Sequence, residues 1–394
     1  MTRREILLGM PAFLQGRPQR IIVFMVDGLG ADYVAASRMP VLSSWQKRGI
    51  SKTVAGVMPS VTNANNASIC CGVWPEQHGI TANFYLDETS GREEYMESAD
   101  LVLAPTLFER ARPAGVSSAL LSSKKKSITL LPRGANLVMS AESPPPEWIA
   151  RLGKAPDIYS AEINHWILKA AIWVLRHQPE IGILYIHTTD YPMHMWPPEA
   201  EPSRHHLSGL DALFGELSDA APDAAILLTA DHGMHHKTRC WDLMKACATR
   251  GVALRSAISA ERDKYLKHHG GFGGTAWVYL KSSRDSDPAA AVIAKLPGVQ
   301  EVLSRSEAAR RFRLMPSRIG ELVVLGDGNT VFGAMESELL DLPPEYRSHG
   351  GLTEAKVPLV VHNAAHSPGA AFFQSNVDLT RWLFAPAGKR SGDM

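Results

Sequence analysis

The feature that most constrains this chain is an unbroken apolar run that stops at a carboxylate. Residues 21–26 are six consecutive apolar residues, and Asp27 follows them directly. Such a run, rich in β-branched and aromatic residues, is typical of a strand buried on both faces in a parallel sheet. A carboxylate at its inner end is costly to bury alone, so we expect a cationic partner, most simply a metal ion. An aspartate in an ordinary turn is the alternative.

The same pattern occurs twice more. An apolar run at residues 181–186 leads to Asp190, and another at 224–228 leads to Asp231. Carboxyl ends of parallel strands meet at one edge of a sheet, where ligands bind in open α/β folds. A stripe of apolar residues at helical spacing fills 157–178, and a further strand is predicted at 116–121. We therefore predict an α/β fold with a mostly parallel central sheet flanked by helices.

The segment from residue 252 to residue 348 differs in character from its surroundings. It has glycine-rich turns, charged helical pieces and short strands at 275–280 and 321–325. A chain of 394 residues is long enough for two domains or for one core with a large insertion. We expect a catalytic core in two parts, 1–251 and 349–394, with a smaller α+β cap inserted at 252–348.

Composition narrows the partners of the protein. Lys plus Arg (41) nearly balances Asp plus Glu (40), so no overall charge attracts nucleic acid or an acidic membrane. The four cysteines form no CxxC motif, which disfavours a thiolate zinc site and fits a reducing compartment. Residues 1–10 lack the pattern of a secretion signal, and no apolar run reaches about 18 residues. We expect a cytoplasmic protein, with a homodimer left open.

Candidate metal ligands cluster in the strand-end motifs. They are Asp27, Asp190, His194, Asp231, His232 and His349, with Thr62 as a hydroxyl. Carboxylate and imidazole suit zinc, manganese or iron, and six such groups fit two ions better than one tetrahedral ion. Two adjacent metal ions clamp both sides of an in-line displacement at phosphorus, and a metal can activate a threonine hydroxyl as nucleophile. Each residue alone has a plain structural explanation; Thr62 or Ser60, for example, could be a helix N-cap.

Three consecutive lysines, Lys124 to Lys126, follow the strand predicted at 116–121. A lysine run is usually a solvated surface. Because these lysines lie at the carboxyl end of a strand, they border the same edge as Asp27. We therefore expect them to be able to hold an anionic group.

Five blocks of the chain resemble the metal-binding motifs of the alkaline phosphatase superfamily, in its phosphodiesterase and nucleotide pyrophosphatase branch. They are Val26-Asp-Gly28, the loop that carries Thr62, Thr188-Thr-Asp-Tyr-Pro-Met-His-Met-Trp-Pro-Pro198, Thr229-Ala-Asp-His-Gly-Met234 and His349-Gly350. The resemblance extends from about residue 20 to residue 365. Within this branch, residues 191–198 and 78–85 are similar to the phosphonoacetate hydrolases. The Thr62 loop lacks the Cys-x-Pro-x-Arg pattern of sulfatases.

The resemblance implies a function and a role for each residue. The function is hydrolysis of the carbon–phosphorus bond of phosphonoacetate to acetate and phosphate. Asp27, Asp231 and His232 would hold one zinc ion, and Asp190, His194 and His349 the other, with Mn²⁺ or Fe²⁺ as possible replacements. Thr62 would be the nucleophile, Asn83 would donate to a phosphoryl oxygen, and Lys124 and Lys126 would bind the carboxylate. Because Lys125 lies between them, which two lysines face inward stays open.

Two other functions remain possible at this stage. One is a two-metal phosphodiesterase, nucleotide pyrophosphatase or phosphonate monoester hydrolase that uses the same metals and Thr62. It would need an apolar or aromatic slot instead of two inward lysines. The other is a metal-binding sensor or scaffold without turnover, which would tolerate loss of Thr62.

Overall fold

The computed structural model describes residues 19–384 except 266, 268 and 269, so the prediction about residues 1–10 lies outside it. Its strands are β1 Ile21–Met25, β2 Ile50–Ala55, β3 Phe84–Asp87, β4 Arg92–Tyr95, β5 Ser117–Ser122, β6 Leu137–Ser140, β7 Ile181–His187, β8 Ala225–Thr229, β9 His235–His236, β10 Arg239–Trp241, β11 Leu254–Ser259, β12 Thr275–Leu280, β13 Val299–Ser304, β14 Leu322–Gly326, β15 Thr330–Phe332, β16 Leu339–Asp341, β17 Arg347–Ser348 and β18 Lys356–His362.

The helices connect these strands and cover the sheets. The α-helices are Ala31–Ala36, Pro40–Arg48, Thr62–Cys71, Pro75–His78, Leu107–Ala111, Lys125–Leu130, Pro146–Leu152, Glu162–His177, Tyr191–Met195, Glu201–Ala220, Leu243–Ala248, Ser286–Ile293, Arg305–Phe312 and Asp378–Arg381. Short 3-10 turns lie at Ala99–Leu101, Arg112–Ala114, Ser283–Asp285, Pro316–Arg318, Thr353–Ala355, Ala370–Phe372 and Trp382–Phe384. In the described part of the chain, none of the helices is both long and apolar enough to cross a membrane.

The core of the protein is a seven-stranded sheet in the order β2-β18-β8-β1-β7-β5-β6. Strand β1 pairs in parallel with β7 and β8, and β5 pairs in parallel with β6 and β7. Only β18 among these seven runs antiparallel to its neighbours, β2 and β8. The predicted α/β fold with a mostly parallel central sheet is therefore confirmed.

Helices cover both faces of this sheet, which explains the apolar run of β1. On one face, the ring of Phe24 lies 5.0 Å from that of Phe214 in the helix Glu201–Ala220, and Trp45 joins this cluster. On the other face, Tyr185 of β7 donates a hydrogen bond to Asn66 in the helix Thr62–Cys71. All five residues of β1 are buried as a result.

A second, antiparallel sheet lies within the segment predicted as a cap. Its order is β11-β12-β14-β13, and its residue Trp277 packs in an apolar cluster with Met58 and Phe84 of the core. The small sheet β15-β10-β16 also joins residues 239–241 to strands that lie beyond residue 329. The division of the chain at 251/252 and 348/349 stays a prediction.

The strand ends bring the predicted residues to one edge of the central sheet. Asp27 lies two residues beyond β1, Asp190 three beyond β7 and Asp231 two beyond β8. Lys124 lies two residues beyond β5, which is hydrogen-bonded to β7. His349 follows β17 directly. The candidate ligands and lysines therefore meet at this edge.

Candidate metal centre

The side chains at this edge form one buried cluster. In the part of the chain that the structure describes, three overlapping groups bring ligand atoms within 4.8 Å of one another. They are Asp27, Asp231 and His232; Asp190, His232 and His349; and His194, Glu261 and His349. The first is the ligand set implied for one metal, and the other two contain all three residues implied for the second. The sequence did not single out Glu261.

In two of the aspartates, one carboxylate oxygen accepts hydrogen bonds and the other accepts none from the described residues. Oδ2 of Asp27 accepts from Lys124 Nζ at 2.7 Å and lies 3.2 Å from His187 Nε2. Oδ1 of Asp231 accepts from the backbone amides of Gly28 and His232. Among the described residues, neither Asp27 Oδ1 nor Asp231 Oδ2 has a hydrogen-bond partner. A buried carboxylate oxygen without a donor is costly, and a metal ion would satisfy it.

The three histidines are all fixed in the same orientation by backbone carbonyls. Nδ1 of His194 donates to Arg347 O at 2.9 Å, and Nδ1 of His232 donates to Gly233 O at 2.9 Å. Nδ1 of His349 donates to Ser60 O at 2.8 Å. When Nδ1 carries the proton, a neutral ring presents the lone pair of Nε2 to the cluster. This is how proteins commonly orient histidine ligands for a metal.

Electrostatics favour the metal-binding form of two of the three histidines, whereas burial and then Asp27 raise the pKa of Asp231, a shift that a bound cation would reverse. Burial lowers the pKa of His232 to about 3 and that of His349 to about 4. Burial also lowers the pKa of His194, but Asp190 outweighs this and raises it overall. Metal ions bind neutral imidazole and ionised carboxylate. The residues present therefore fit a pair of divalent cations, which would replace the proton shared by His194 and Asp190.

Thr62 lies beside His232 and opens the helix Thr62–Cys71. The preceding residue is Val61, and the Ser60 hydroxyl donates to Gly351 O, so neither alternative N-cap is present. Thr62 Oγ1 lies 3.5 Å from His232 Nε2 and is buried. A side-chain hydroxyl is thus held next to the candidate ligands at a helix N-terminus, where backbone amides favour anions.

Asn83 lies beside Thr62. Its Oδ1 accepts from the backbone amide of Asn63, the residue after Thr62, at 2.9 Å. Its Nδ2 donates to Glu261 Oε2 at 3.1 Å. The amide group that would hold a phosphoryl oxygen is therefore close to the candidate nucleophile and already has an acidic partner.

The three lysines of the run differ in burial. Lys124 and Lys126 are buried, and Lys125 is exposed. Lys124 Nζ lies 2.7 Å from Asp27 and 2.7 Å from Asp190, so it joins a candidate ligand of each metal. Lys126 forms an ion pair with Asp263, which is also buried. Both ammonium groups thus face the site, and both have carboxylate partners there.

Three residues of the site were missed in the sequence. Glu261 and Asp263 follow β11 and enter from the antiparallel sheet, where their sequence looks like charged surface. His187 ends β7, and its Nδ1 lies 2.7 Å from Ser127 Oγ while Nε2 lies near Asp27. A histidine at the end of an otherwise apolar strand is a signal that could have been used.

Fold and site together define an alkaline-phosphatase-like protein. The family model of type I phosphodiesterases and nucleotide pyrophosphatases matches residues 21–352. The chain belongs to this family.

Solved structures agree with this assignment. Phosphonoacetate hydrolase from Sinorhizobium meliloti 1021, in complex with phosphonoformate, is 31% identical with a TM-score of 0.84. The match covers 94% of this chain and 96% of that one. Human ectonucleotide pyrophosphatase/phosphodiesterase 5 shares the fold at 15% identity, with a TM-score of 0.66 over 92% of each chain.

Curated relatives match over shorter stretches. Bis(5'-adenosyl)-triphosphatase ENPP4 from Bos taurus is 24% identical over 233 residues, which is 57% of this chain and 48% of the relative. An uncharacterised pyrophosphatase/phosphodiesterase of Schizosaccharomyces pombe is 29% identical over 99 residues, 25% of this chain and 20% of the relative. The chain therefore spans a fifth to about half of the length of these relatives.

Proposed function

We propose that this protein hydrolyses the carbon–phosphorus bond of phosphonoacetate to acetate and phosphate, with two zinc ions and Thr62 as nucleophile. The observation that carries this proposal is the pair of buried ammonium groups, Lys124 and Lys126, beside the candidate metal ligands. Phosphonoacetate has a carboxylate that these ammonium groups can bind, and a phosphodiester has none. The S. meliloti phosphonoacetate hydrolase, also solved in complex with phosphonoacetate, is 30% identical in that structure and supports the same substrate.

The proposed metal ligands are two sets of three residues. Asp27, Asp231 and His232 would hold one ion, and Asp190, His194 and His349 would hold the other. When bound, the two ions would supply Lewis acidity, which lowers the pKa of the threonine hydroxyl and withdraws charge from the phosphonyl oxygens.

The chain's own residues then position the reacting atoms. Thr62 Oγ1 attacks phosphorus, forming a P–O bond as the C–P bond breaks and its electron pair passes to the carbon. Asn83 Nδ2 donates to a phosphonyl oxygen, where negative charge develops. Water accepts the proton that the Thr62 hydroxyl loses and returns a proton to the carbanion, which completes acetate. One water molecule then cleaves the bond to Thr62, adding its hydroxyl group to phosphorus and its proton to Oγ1, and phosphate is released.

The lysines act on the leaving group. A carbanion is a much poorer leaving group than an alkoxide, and its charge can spread onto the adjacent carboxylate as an enediolate. Ammonium groups at that carboxylate stabilise the transition state more than the ground state, which is the condition for catalysis. Lys126 is the better placed for this role, because Lys124 also holds Asp27 and Asp190.

A second candidate function is a phosphodiesterase or nucleotide pyrophosphatase with the same metals and nucleophile. The family match and the similarity to ENPP4 favour it. A phosphodiesterase would not need Lys126, because its substrate has no carboxylate. Substitution of Lys126 therefore separates the two functions.

The test compares phosphate release from phosphonoacetate with cleavage of bis-p-nitrophenyl phosphate by the zinc-loaded protein. Thr62→Ala should abolish both reactions. Lys126→Met should lower kcat/KM for phosphonoacetate by about 100-fold, since a charge-assisted contact to the leaving group is lost, and leave the diester reaction unchanged. Lys125→Met is the matched control, because Lys125 is exposed, and it should behave like the wild type.

Three outcomes separate the possibilities. The proposal is supported if Lys126→Met loses the phosphonoacetate reaction but keeps the diester reaction, while Lys125→Met keeps both. Turnover of the diester only, unchanged in Lys126→Met, would replace it by the second candidate. Full activity of Thr62→Ala would contradict both. The double variant Lys126→Met/Asp263→Asn removes both charges and so controls for a buried, unpaired Asp263.

The location of the protein belongs to the same proposal. The cysteines Cys70, Cys71, Cys240 and Cys247 are free and buried. Free thiols persist in a reducing compartment. This supports the proposal of a cytoplasmic enzyme, which fractionation of cells that express the protein would test.

A further inference from the structure

Glu261 reaches the candidate metal centre from the antiparallel sheet. It lies two residues beyond β11 and is 2% exposed. Its Oε1 lies 3.0 Å from His349 Nε2, and its Oε2 accepts from Asn83 Nδ2 at 3.1 Å. Gly273 leaves room for it, because a Cβ at that position would lie 2.3 Å from the Cβ of Glu261. The local backbone is therefore built to bring this carboxylate into the site.

The contact between Glu261 and His349 joins two acceptors. His349 Nδ1 donates to Ser60 O at 2.8 Å, so the neutral ring presents a lone pair at Nε2. A carboxylate oxygen 3.0 Å from that lone pair is repelled unless a cation or a proton lies between them. In the described structure, His349 Nε2 accordingly has no hydrogen-bond partner despite this close neighbour.

Two further candidate ligands, His194 and Asp190, lie close to this contact between Glu261 and His349. The ligand atoms of His194, Glu261 and His349 all lie within 4.8 Å of one another, and His194 Nε2 is 3.0 Å from Asp190 Oδ2. Two imidazoles and two carboxylates thus converge there. Zinc accepts nitrogen and oxygen donors of this kind, and a catalytic zinc ion can expand from four to five ligands, which would leave a position for the substrate.

We propose that Glu261 is a fourth protein ligand of the second metal ion, together with Asp190, His194 and His349. This inference rests on the two-metal site of the proposed function and adds a ligand that the resemblance does not imply. Because Glu261 comes from the antiparallel sheet, the metal ion joins that sheet to the central one. Asn83 Nδ2 donates a hydrogen bond to Glu261 Oε2. This hydrogen bond must break when Asn83 Nδ2 donates to a phosphonyl oxygen instead.

The experiment is a metal titration of the metal-free protein, which needs no substrate. Zn²⁺ is titrated against a chromophoric chelator, and Co²⁺ is titrated in parallel while its visible absorption is recorded. Wild-type protein should bind two ions. Glu261→Gln should weaken one of them by at least about 100-fold, because even residues that only support a ligand contribute 10- to 100-fold to affinity. The Co²⁺ band of that site should also change, since one ligand oxygen is lost.

Asp263→Asn is the matched control. Asp263 lies in the same loop and is equally buried, but its partner is Lys126, so both metal affinities should stay as in the wild type. Glu261→Asp keeps the charge on a shorter side chain and should give an intermediate affinity. Circular dichroism of the metal-free variants confirms that each is folded before titration.

The outcomes are distinct. If Glu261→Gln binds both zinc ions as tightly as the wild type and its Co²⁺ spectrum is unchanged, the inference is overturned. The close contact between Glu261 and His349 would then be explained by a proton that the two side chains share. A wild-type protein that binds fewer than two ions would overturn the two-metal site itself. Weakening by Asp263→Asn equal to that by Glu261→Gln would show a general effect of loop charge, and would also overturn the inference.

Discussion

Glu354 and Lys237 form a buried ion pair whose contribution to stability can be measured. Lys237 Nζ lies 2.8 Å from Glu354 Oε1, and neither side chain is more than 1% exposed. Glu354 also holds the loops that carry His232 and His349, because its Oε2 accepts from Gly351 N and its backbone oxygen accepts from Gly233 N. The pair therefore supports the candidate site without touching it.

The size of the effect follows from the pKa of Glu354. Burial alone would raise this pKa, but Lys237 and His235 outweigh burial and lower it from the ordinary 4.5 to about 2. A difference of this size corresponds to about 3 kcal/mol of folding free energy. Because the pKa is lower in the folded state, this stabilisation is complete above pH 4.5. It is lost as the pH falls from 4.5 towards 2.

The perturbation is Glu354→Gln, which keeps the shape of the side chain and removes its charge. Urea unfolding of the metal-free protein, followed by circular dichroism, should show the variant less stable by about 3 kcal/mol at pH 7, because Lys237 stays buried without its counter-ion. The difference should shrink as the pH is lowered below 4.5. Glu94→Gln is the control: Glu94 pairs with Arg92 at the surface, and its loss should cost less than about 1 kcal/mol.

Two results would refute this reasoning. One is a difference between wild type and Glu354→Gln that stays constant from pH 7 to pH 3, since the charge would then not be the cause. The other is a variant as stable as the wild type at pH 7. In that case the desolvation of the two charged groups would equal their attraction.

Three further predictions concern the candidate site. Asp263→Asn should lower KM for phosphonoacetate severalfold in steady-state kinetics, because the substrate carboxylate would no longer compete with Asp263 for Lys126. A raised KM would show instead that Asp263 positions Lys126. His187→Phe should weaken one zinc ion by about 10- to 100-fold in a calorimetric titration, because the Phe ring cannot donate to Asp27 and a supporting contact is lost; an unchanged affinity would contradict it. Gly28→Ala should cost at least about 1 kcal/mol in urea unfolding, because φ is +74° and a Cβ there lies 2.9 Å from a candidate ligand's side chain; a neutral effect would argue against strain at this turn.

The strand-end carboxylates could be predicted because their signal is local. A buried strand must be apolar throughout, so the residue at which the run stops marks the sheet edge. Asp27 and Asp231 were located in this way, and the structure brings both to one buried cluster.

What could not be predicted depends on contacts between distant segments. Glu261 and Asp263 lie in a charged stretch that has no periodicity, and only the placement of the antiparallel sheet brings them to His349 and Lys126. The direction of β18 was equally hidden, because an apolar run looks the same in a parallel and an antiparallel strand. The local sequence indicates whether a segment is buried. It does not indicate which distant segment packs against it.

The place of β18 in the central sheet also constrains how a newly made chain can fold. This strand lies between β2 and β8, yet it is the last of the seven to leave the ribosome. Until it emerges, β8 has an open edge, and open edges invite aggregation in nascent chains. His349 lies shortly before β18 in the sequence, so the last candidate metal ligand and the last strand of the central sheet become available to the folding chain at nearly the same point.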